Sequence, residues 1–302
     1  MRKIKGWLLD FDDFNVKPIG VLGGIGFSFL FYTALLIMML ISIAVIMSKV
    51  TIFYEVDFIM SIAIASTEVL AYCAVISFIK RLYLDKNSIN IEKQYITHVE
   101  LDRSDYLKLV LISVGEIIFV IGIVYFINLI PIPEFIREFI EVEEESGSFI
   151  AIFLTAGLVA PIVEEILFRG ILLKGLLKKY SVNKAIVIGG SLFALAHLPD
   201  IQNVLAILAG SLIYCVVYAY TRSIIPTIIL HMSYNIGIVL SEQYFTAFNI
   251  DYSEIAIIPS IILSLIGIII MFICYKGIKF KERLEDKKCS VARDNITMEN
   301  FN

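Results

Sequence analysis

The sequence predicts an all-α fold: a polytopic membrane protein built as a bundle of about eight transmembrane helices with an intramembrane polar site. Of its 302 residues, 59% are hydrophobic and 18% are charged, whereas soluble domains carry roughly 25% charged residues. Long apolar runs alternate with short charged connections along the chain. A few ionisable residues interrupt these runs, and such residues are unfavourable in hydrocarbon unless they are paired or functional.

The helices follow from the apolar runs taken in order. A hydrocarbon core of about 30 Å is crossed by a helix of roughly 20 residues, and shorter helices fit where other helices surround them. The first run is too long for a removable signal peptide and lacks a small-residue cleavage site, so we expect it to remain as a span. The predicted spans lie at about 19–47, 58–79, 107–131, 148–177, 183–198, 202–220, 224–240 and 254–275.

Lysine and arginine in the connections predict the orientation of the spans, because cytoplasmic connections are enriched in these residues. The connection at 80–108 carries six of them, the one at 174–184 carries four, and a short turn carries Arg222. The intervening connections carry only Lys49 and Arg137, and both termini are basic. The pattern therefore predicts a multi-pass protein of the cell membrane with both termini in the cytoplasm.

The apolar run at 149–177 contains two adjacent carboxylates and an arginine. On a helix, Glu165 and Arg169 stand at i and i+4, close enough to form an ion pair. Glu164 points about 100° away from Glu165, so its carboxylate is left for other partners. The spacing predicts one structural glutamate and one that is available for chemistry.

Three further polar residues lie in later spans, His197 in the fifth and His231 with Asn235 in the seventh. At about 1.5 Å per residue from the basic cytoplasmic ends, Glu164 and His197 each lie about 20 Å deep. His231 and Asn235 lie about 13–20 Å deep on the same scale. These residues are predicted to share one layer near the middle of the bilayer. The short outer turn at Asp200, close to His197, favours access from the outer leaflet.

These residues fall in three short motifs. Residues 160–170 read APIVEEILFRG, residues 191–197 read SLFALAH and residues 231–235 read HMSYN. In this order they resemble the EExxxR, FxxxH and HxxxN motifs of the CPBP family, the CAAX proteases and bacteriocin-processing enzymes, also called Abi. The resemblance covers about residues 157–238. The turn before the seventh span departs from the pattern of many relatives, which affects loop geometry rather than the site.

The resemblance implies an intramembrane endopeptidase whose substrates are membrane-associated peptides or proteins, such as prenylated CAAX-type termini, bacteriocin leaders or peptide pheromones. Peptide hydrolysis needs an activated water and a stabilised oxyanion. The resemblance makes Glu164 the general base, with His197 sharing the water, and makes His231 and Asn235 donors to the oxyanion. Relatives that process CAAX termini would be expected to work from the cytoplasmic side, so the side of substrate entry stays open.

Three neighbouring residues are expected to support the site rather than to react. Glu165 and Arg169 would fix the fourth span, since each charge neutralises the other in hydrocarbon. Phe193, four residues before His197, would pack against that imidazole ring. These side chains are expected beside the reacting groups without contact with the substrate.

Other readings of the polar residues remain. Glu164, His197 and His231 are also the ligand types of catalytic zinc sites. The chain has no HExxH motif, so we expect no cofactor and keep a divalent metal such as zinc as the alternative.

A second alternative function is that of a non-catalytic bacteriocin-immunity or scaffold protein with the same fold. A secondary transporter is disfavoured, because the sequence has no repeat or paired broken helices. Glu68 and Glu116 would line the cavity or satisfy a neighbouring helix.

The chain is predicted to have three parts. Residues 1–147 hold three spans and a cytoplasmic loop, 148–240 form the catalytic core, and 241–302 hold the last span and a basic cytoplasmic tail. Its expected partners are the lipid bilayer and the membrane-associated substrate, and no basic stripe indicates nucleic-acid binding. The four cysteines have no metal-binding spacing and are interpreted as small apolar side chains.

Overall fold

The computed structural model describes most of the predicted membrane region. The predicted span at 58–79 lies largely outside the described residues, and Glu68 and the acidic connection at 132–147 lie wholly outside them. The structure describes residues 16–49, 99–127, 129, 149–197, 204–248 and 255–285, with isolated positions between 66 and 83.

Seven helices are numbered here in chain order, further short helical stretches lie at 75–78, 81–83 and 280–285, and no strand occurs among the described residues. The predicted all-α class is therefore confirmed. The helices are α1 (Val21–Lys49), α2 (Arg103–Ile127), α3 (149–177), α4 (Val182–Leu195), α5 (Val204–Thr221), α6 (Ile224–Ala247) and α7 (Ile257–Ile278).

Four of these helices are long and apolar enough to cross a membrane. They are α2 over Arg103–Ile123, α5, α6, and α7 with its continuation to Glu285. The helix α1 is 29 residues long, and α4, with 14 residues, is a shorter apolar helix. These helices identify a multi-pass membrane protein.

The helix α6 is longer than its apolar run. The run ends near residue 240, whereas α6 continues to Ala247. Residues 241–247 are mostly polar, yet the backbone remains helical. The hydroxyl groups of Ser241 and Thr246 donate to the carbonyl oxygens four residues earlier, at 2.7 and 2.9 Å. Apolar patterning alone therefore underestimates the length of α6, because the last two turns of this helix are mostly polar and lie beyond the apolar run.

The helix α3 departs twice from α-helical hydrogen bonding along its length. Two of its segments are π-helical, with hydrogen bonds from residue i+5 back to residue i. Such segments are rare and often occur at functional sites. The second one contains both Glu165 and Arg169. In order, the segments of α3 are Phe149–Ile152, π-helical Phe153–Val159, Ala160–Glu164, π-helical Glu165–Leu173 and Lys174–Leu177.

An aromatic cluster connects α1 to α3 and α4. Phe27 and Phe31 pack edge to face on Phe168, with ring centroids 5.6 and 5.0 Å away. Phe168 in turn packs edge to face on Phe193 of α4 at 4.9 Å. The Ser28 hydroxyl donates to the carbonyl oxygen of Leu192 at 3.2 Å. These contacts fix α4, which ends beside the polar site.

The helices α2 and α7 pack closely at glycine residues. A Cβ atom at Gly267 would lie 2.5 Å from the carbonyl oxygen of Gly115 and 2.6 Å from the amide nitrogen of Phe119. Small residues commonly allow transmembrane helices to approach in this way. Near residue 105 the segment just after α7 is also joined to α2 by charge, because Arg283 donates to the buried carboxylate of Asp105. The contact between α2 and α7 fixes the position of α2, which also packs against α6.

Gly267→Ala is expected to lower the apparent melting temperature in detergent. Its methyl group meets backbone atoms of α2, which cannot move unless the helices separate, and overpacking of this kind typically costs about 1–3 kcal/mol. Gly26→Ala is the matched control, because a Cβ atom at Gly26 has no neighbour within 4 Å. That control should melt at or above the wild-type temperature, since alanine favours a helix. Equal melting of the two variants would show that the close crossing is wrong.

Candidate active site

The Glu165 carboxylate and the Arg169 guanidinium form an ion pair in the middle of the helix bundle. The Arg169 Nη1 atom donates to Glu165 Oε1 at 2.8 Å, and both side chains have 0% exposure. A second nitrogen, Nη2, donates to the Ser211 hydroxyl at 3.0 Å on α5. The predicted i, i+4 pair is therefore present, and it also ties α3 to α5.

Glu165 has a further partner that the sequence did not indicate. His231 of α6 bonds to the same oxygen, with 2.9 Å between Nδ1 and Glu165 Oε1. Since the carboxylate paired with Arg169 can only accept, His231 Nδ1 is the donor. Glu165 therefore links α3 to α6 and sets the orientation of the His231 ring.

Glu164 lies where α3, α6 and the residues just after α4 meet. Its side chain is largely buried. Its Oε2 atom is 3.8 Å from His197 Nε2 and 3.8 Å from His231 Nε2. The structure thus brings together three residues that are up to 67 positions apart in the chain. Glu164, His197 and His231 are therefore neighbours, while Asn235, the fourth residue predicted at this depth, bonds to Ala156 of α3.

The hydrogen bonds at Nδ1 determine what the two Nε2 atoms can do. His197 Nδ1 lies 2.9 Å from the carbonyl oxygen of Phe193, an acceptor, so Nδ1 carries the hydrogen. The same holds for His231 Nδ1 on Glu165. In a neutral ring, each Nε2 is then an acceptor directed towards Glu164. It becomes a donor only when the ring carries two protons.

Phe193 contacts more of the site than the sequence predicted. Its ring lies against His197, as expected, with centroids 4.5 Å apart. It also contacts the His231 ring at 5.9 Å. The guanidinium carbon of Arg169 lies 4.5 Å from the centre of the Phe193 ring, within the range of a cation–π contact. Phe193 therefore separates the buried ion pair from the more exposed His197.

Asn235 bonds to a backbone carbonyl group of α3 that lacks its helical donor. In an α-helix, Ala156 would accept from the N–H of Ala160, but that group donates to Thr155 instead. With i+5 bonding, the donor to Ala156 would be Pro161, which has no N–H. Asn235 Nδ2 supplies the missing donor at 2.8 Å. Neighbouring helices commonly satisfy carbonyl groups freed by proline in membranes.

Sequence reasoning missed the contribution of α5 to this site. Ser211 bonds to Arg169, and the Tyr214 ring lies 5.3 Å from the same guanidinium carbon and 5.0 Å from the His231 ring. Both are polar residues three positions apart in a buried apolar span. That spacing places them on one helix face and could have indicated the contact.

These features define a class of protein: a multi-pass, all-α membrane protein with a buried centre of carboxylates, imidazoles and one arginine. Residues 146–237 match the family model described as "Type II CAAX prenyl endopeptidase Rce1-like". The match includes all three motifs and confirms the resemblance predicted from them. The matched segment is similar to CAAX-type endopeptidases. No curated protein and no solved structure matches the chain.

Arg169→Ala should strongly lower the stability of the protein. The change leaves Glu165 buried without its cation, and breaking a buried pair in this way typically costs about 3–5 kcal/mol. The measurement is thermal unfolding in detergent. The control is Glu282→Ala, which removes one partner of an exposed pair with Lys279 and should change stability by less than about 1 kcal/mol. A melting temperature of Arg169→Ala close to that of the control would contradict the proposed importance of the pair.

Proposed function

We propose that this protein is an intramembrane endopeptidase in which Glu164 activates the attacking water. The observation that supports this proposal is the convergence of Glu164 Oε2 with the Nε2 atoms of His197 and His231, each 3.8 Å away. That separation is too long for a direct hydrogen bond and suits a bridging water. A carboxylate and two imidazoles around one water are suited to proton transfer in hydrolysis.

In the proposed reaction, the Glu164 carboxylate takes a proton from the water as the water oxygen bonds to the carbonyl carbon of the scissile peptide. The second O–H of the water stays intact and donates a hydrogen bond to His197 Nε2, which is an acceptor because the Nδ1 hydrogen of that ring is held by Phe193. Collapse of the tetrahedral intermediate breaks the carbon–nitrogen bond. The proton held by Glu164 passes to the leaving nitrogen, so the products are one new carboxyl group and one new amine.

The oxyanion of the intermediate needs hydrogen-bond donors, and His231 and Asn235 are the proposed ones. Asn235 uses one amide hydrogen on Ala156, and its second amide hydrogen can donate to the oxyanion. His231 can donate from Nε2 only as an imidazolium, because its Nδ1 hydrogen is held by Glu165.

Glu165 is not proposed as a base. It is fully buried, and its Oε1 atom accepts hydrogen bonds from both Arg169 and His231. Protonating it would weaken both bonds and leave the Arg169 charge unbalanced. Its proposed role is to position His231 and to hold α3 in place. The two adjacent glutamates would therefore have separate roles.

The substrate is proposed to reach the site within the lipid bilayer, because the site lies among apolar helices long enough to span a membrane. The proposed partners are the bilayer and a membrane-associated peptide or protein, with prenylated CAAX-type termini as the first class to test. The basic residues at the ends of α3 and α7, including Lys178, Lys179 and Lys276, favour a cell-membrane orientation with both termini in the cytoplasm. No nucleic acid is part of the proposal.

The proposed reaction does not use a metal ion. Glu164, His197 and His231 are nevertheless ligand types found in catalytic zinc sites. Two ligands about 2.05 Å from a tetrahedral ion would lie about 3.4 Å apart, whereas Glu164 Oε2 is 3.8 Å from each Nε2. Two acceptors that share one water at about 2.8 Å each would lie about 4.6 Å apart, so the observed 3.8 Å lies between the two arrangements and the chelator test below separates them.

His197→Ala should abolish cleavage of a prenylated CAAX peptide by the purified protein in detergent. General acid–base groups typically contribute 10²- to 10⁴-fold, so kcat/KM should fall by at least about 100-fold. Stability should change by about 1 kcal/mol, the value of the lost hydrogen bond to Phe193. Val187→Ala, at an exposed position of α4, the helix that ends just before His197, should cleave at the wild-type rate. Retained cleavage by His197→Ala at normal expression would refute its role.

A chelator test separates the water mechanism from the zinc alternative. If Glu164 and His197 act on the water without a metal, a saturating chelator should leave the cleavage rate unchanged. Elemental analysis of the active protein should then find well under one metal ion per chain. One zinc ion per chain, with activity lost in chelator and restored only by added zinc, would establish the metal enzyme instead.

A further inference from the structure

A fourth buried acid, Glu116 of α2, lies next to the site from outside the segment that matches the CAAX protease family. Its side chain is only 3% exposed. The Tyr214 hydroxyl of α5 lies 3.2 Å from its Oε1 atom and 3.1 Å from its Oε2 atom, and donates to the carboxylate. The reaction proposed above assigns no role to this pair.

The surface of α5 is shaped to receive Glu116. Gly210 lies one helical turn before Tyr214 and on the same face. A Cβ atom at Gly210 would lie 1.9 Å from Glu116 Oε1, so no other residue leaves space for the carboxylate in this position. Gly210 leaves space for the Glu116 carboxylate and the Tyr214 hydroxyl binds it, so the two residues together fix its position.

The Tyr214 ring connects Glu116 to the reacting groups. It lies against the imidazole ring of His231, with centroids 5.0 Å apart and planes inclined by 35°. The Arg169 guanidinium carbon is 5.3 Å from its centre. A tyrosine bonded at its hydroxyl and packed at its ring has little freedom to rotate. His231 therefore has Glu165 at its Nδ1 atom and two rings beside its imidazole, Tyr214 at 5.0 Å and Phe193 at 5.9 Å.

We propose that Glu116 and Tyr214 are positioning residues for the peptidase: Glu116 holds the Tyr214 ring, and the ring holds the His231 plane so that Nε2 faces Glu164. The proposal rests on the proposed function. The bond from Nδ1 to Glu165 alone would let the imidazole turn about that bond, because the terminal torsion of histidine has a broad energy profile. Contact with Tyr214 restricts that turn. The active unit then includes α2, which the family match does not cover.

The first test is kinetic. Tyr214→Phe keeps the ring and loses the bond to Glu116, and Glu116→Ala removes the acceptor. Each should lower kcat about 10- to 100-fold, as small displacements of catalytic groups do, with KM changed less than about twofold. The double variant should lose no more than either single variant, because both changes break the same link. Glu116→Gln keeps an acceptor oxygen and should restore kcat to within about threefold of wild type.

The matched control for lost packing is Leu109→Ala. Leu109 is fully buried on α2, seven residues or about two turns before Glu116. Its replacement should lower the melting temperature at least as much as Glu116→Ala, with kcat unchanged at a temperature where the variant is folded. An equal loss of kcat in Leu109→Ala, or losses that multiply in the double variant, would overturn the proposal and leave Glu116 a purely structural residue.

The second test does not depend on cleavage. The chain has three histidines, so NMR spectra of protein labelled only at histidine contain few imidazole signals. The signals that disappear in His231→Gln belong to His231. Glu116→Ala and Tyr214→Phe should shift the His231 signals, while Leu109→Ala should not. Unchanged His231 signals in Glu116→Ala would overturn the positioning role. If wild type cleaved no peptide but these shifts appeared, the peptidase proposal would fail and the link from Glu116 to His231 would stand.

Discussion

Four helices meet at the buried ion pair of Glu165 and Arg169. α3 supplies both charges, α4 places Phe193 on the guanidinium, α5 bonds to it through Ser211, and α6 bonds to the carboxylate through His231. In hydrocarbon neither charge could remain without the other. Removing one partner would therefore do more than break one contact. It would also loosen the packing of the helices that hold Glu164, His197 and His231. The orientation of Glu164 depends on this ion pair, because Glu165 is the next residue on the same helix and its bonds fix that part of α3.

The second constraint is the backbone of α3. Pro161 withholds a donor from the π-helical segment before it, and Asn235 replaces that donor from α6. The proline, the asparagine and the two glutamates are thus parts of one arrangement rather than separate motif residues. It attaches α6 to α3 on both sides of Glu164, at Ala156 through Asn235 and at Glu165 through His231. The distance between Glu164 and His231 is fixed as a result.

Much of this arrangement could be predicted from the sequence. Glu165 and Arg169 are local partners on one helix, and helical spacing alone predicts their bond. The common depth of Glu164, His197 and His231 follows from counting residues from the basic ends. The bond of His231 to Glu165, the packing of Tyr214 and the role of Gly210 depend on how helices from distant parts of the chain are placed around one another, which no local spacing determines. The π-helical segments were also not predictable, because apolar periodicity cannot distinguish them from ordinary helical turns.

The central claim is that two adjacent glutamates have separate roles, one in chemistry and one in structure. The most direct test compares Glu164→Gln with Glu165→Gln, measuring peptide cleavage and melting temperature of each purified protein under the same conditions. The account predicts that Glu164→Gln loses at least about 100-fold in kcat/KM and melts at or above the wild-type temperature, whereas Glu165→Gln melts well below it. A Glu164→Gln protein that still cleaves, or a Glu165→Gln protein that melts like wild type, would contradict the account.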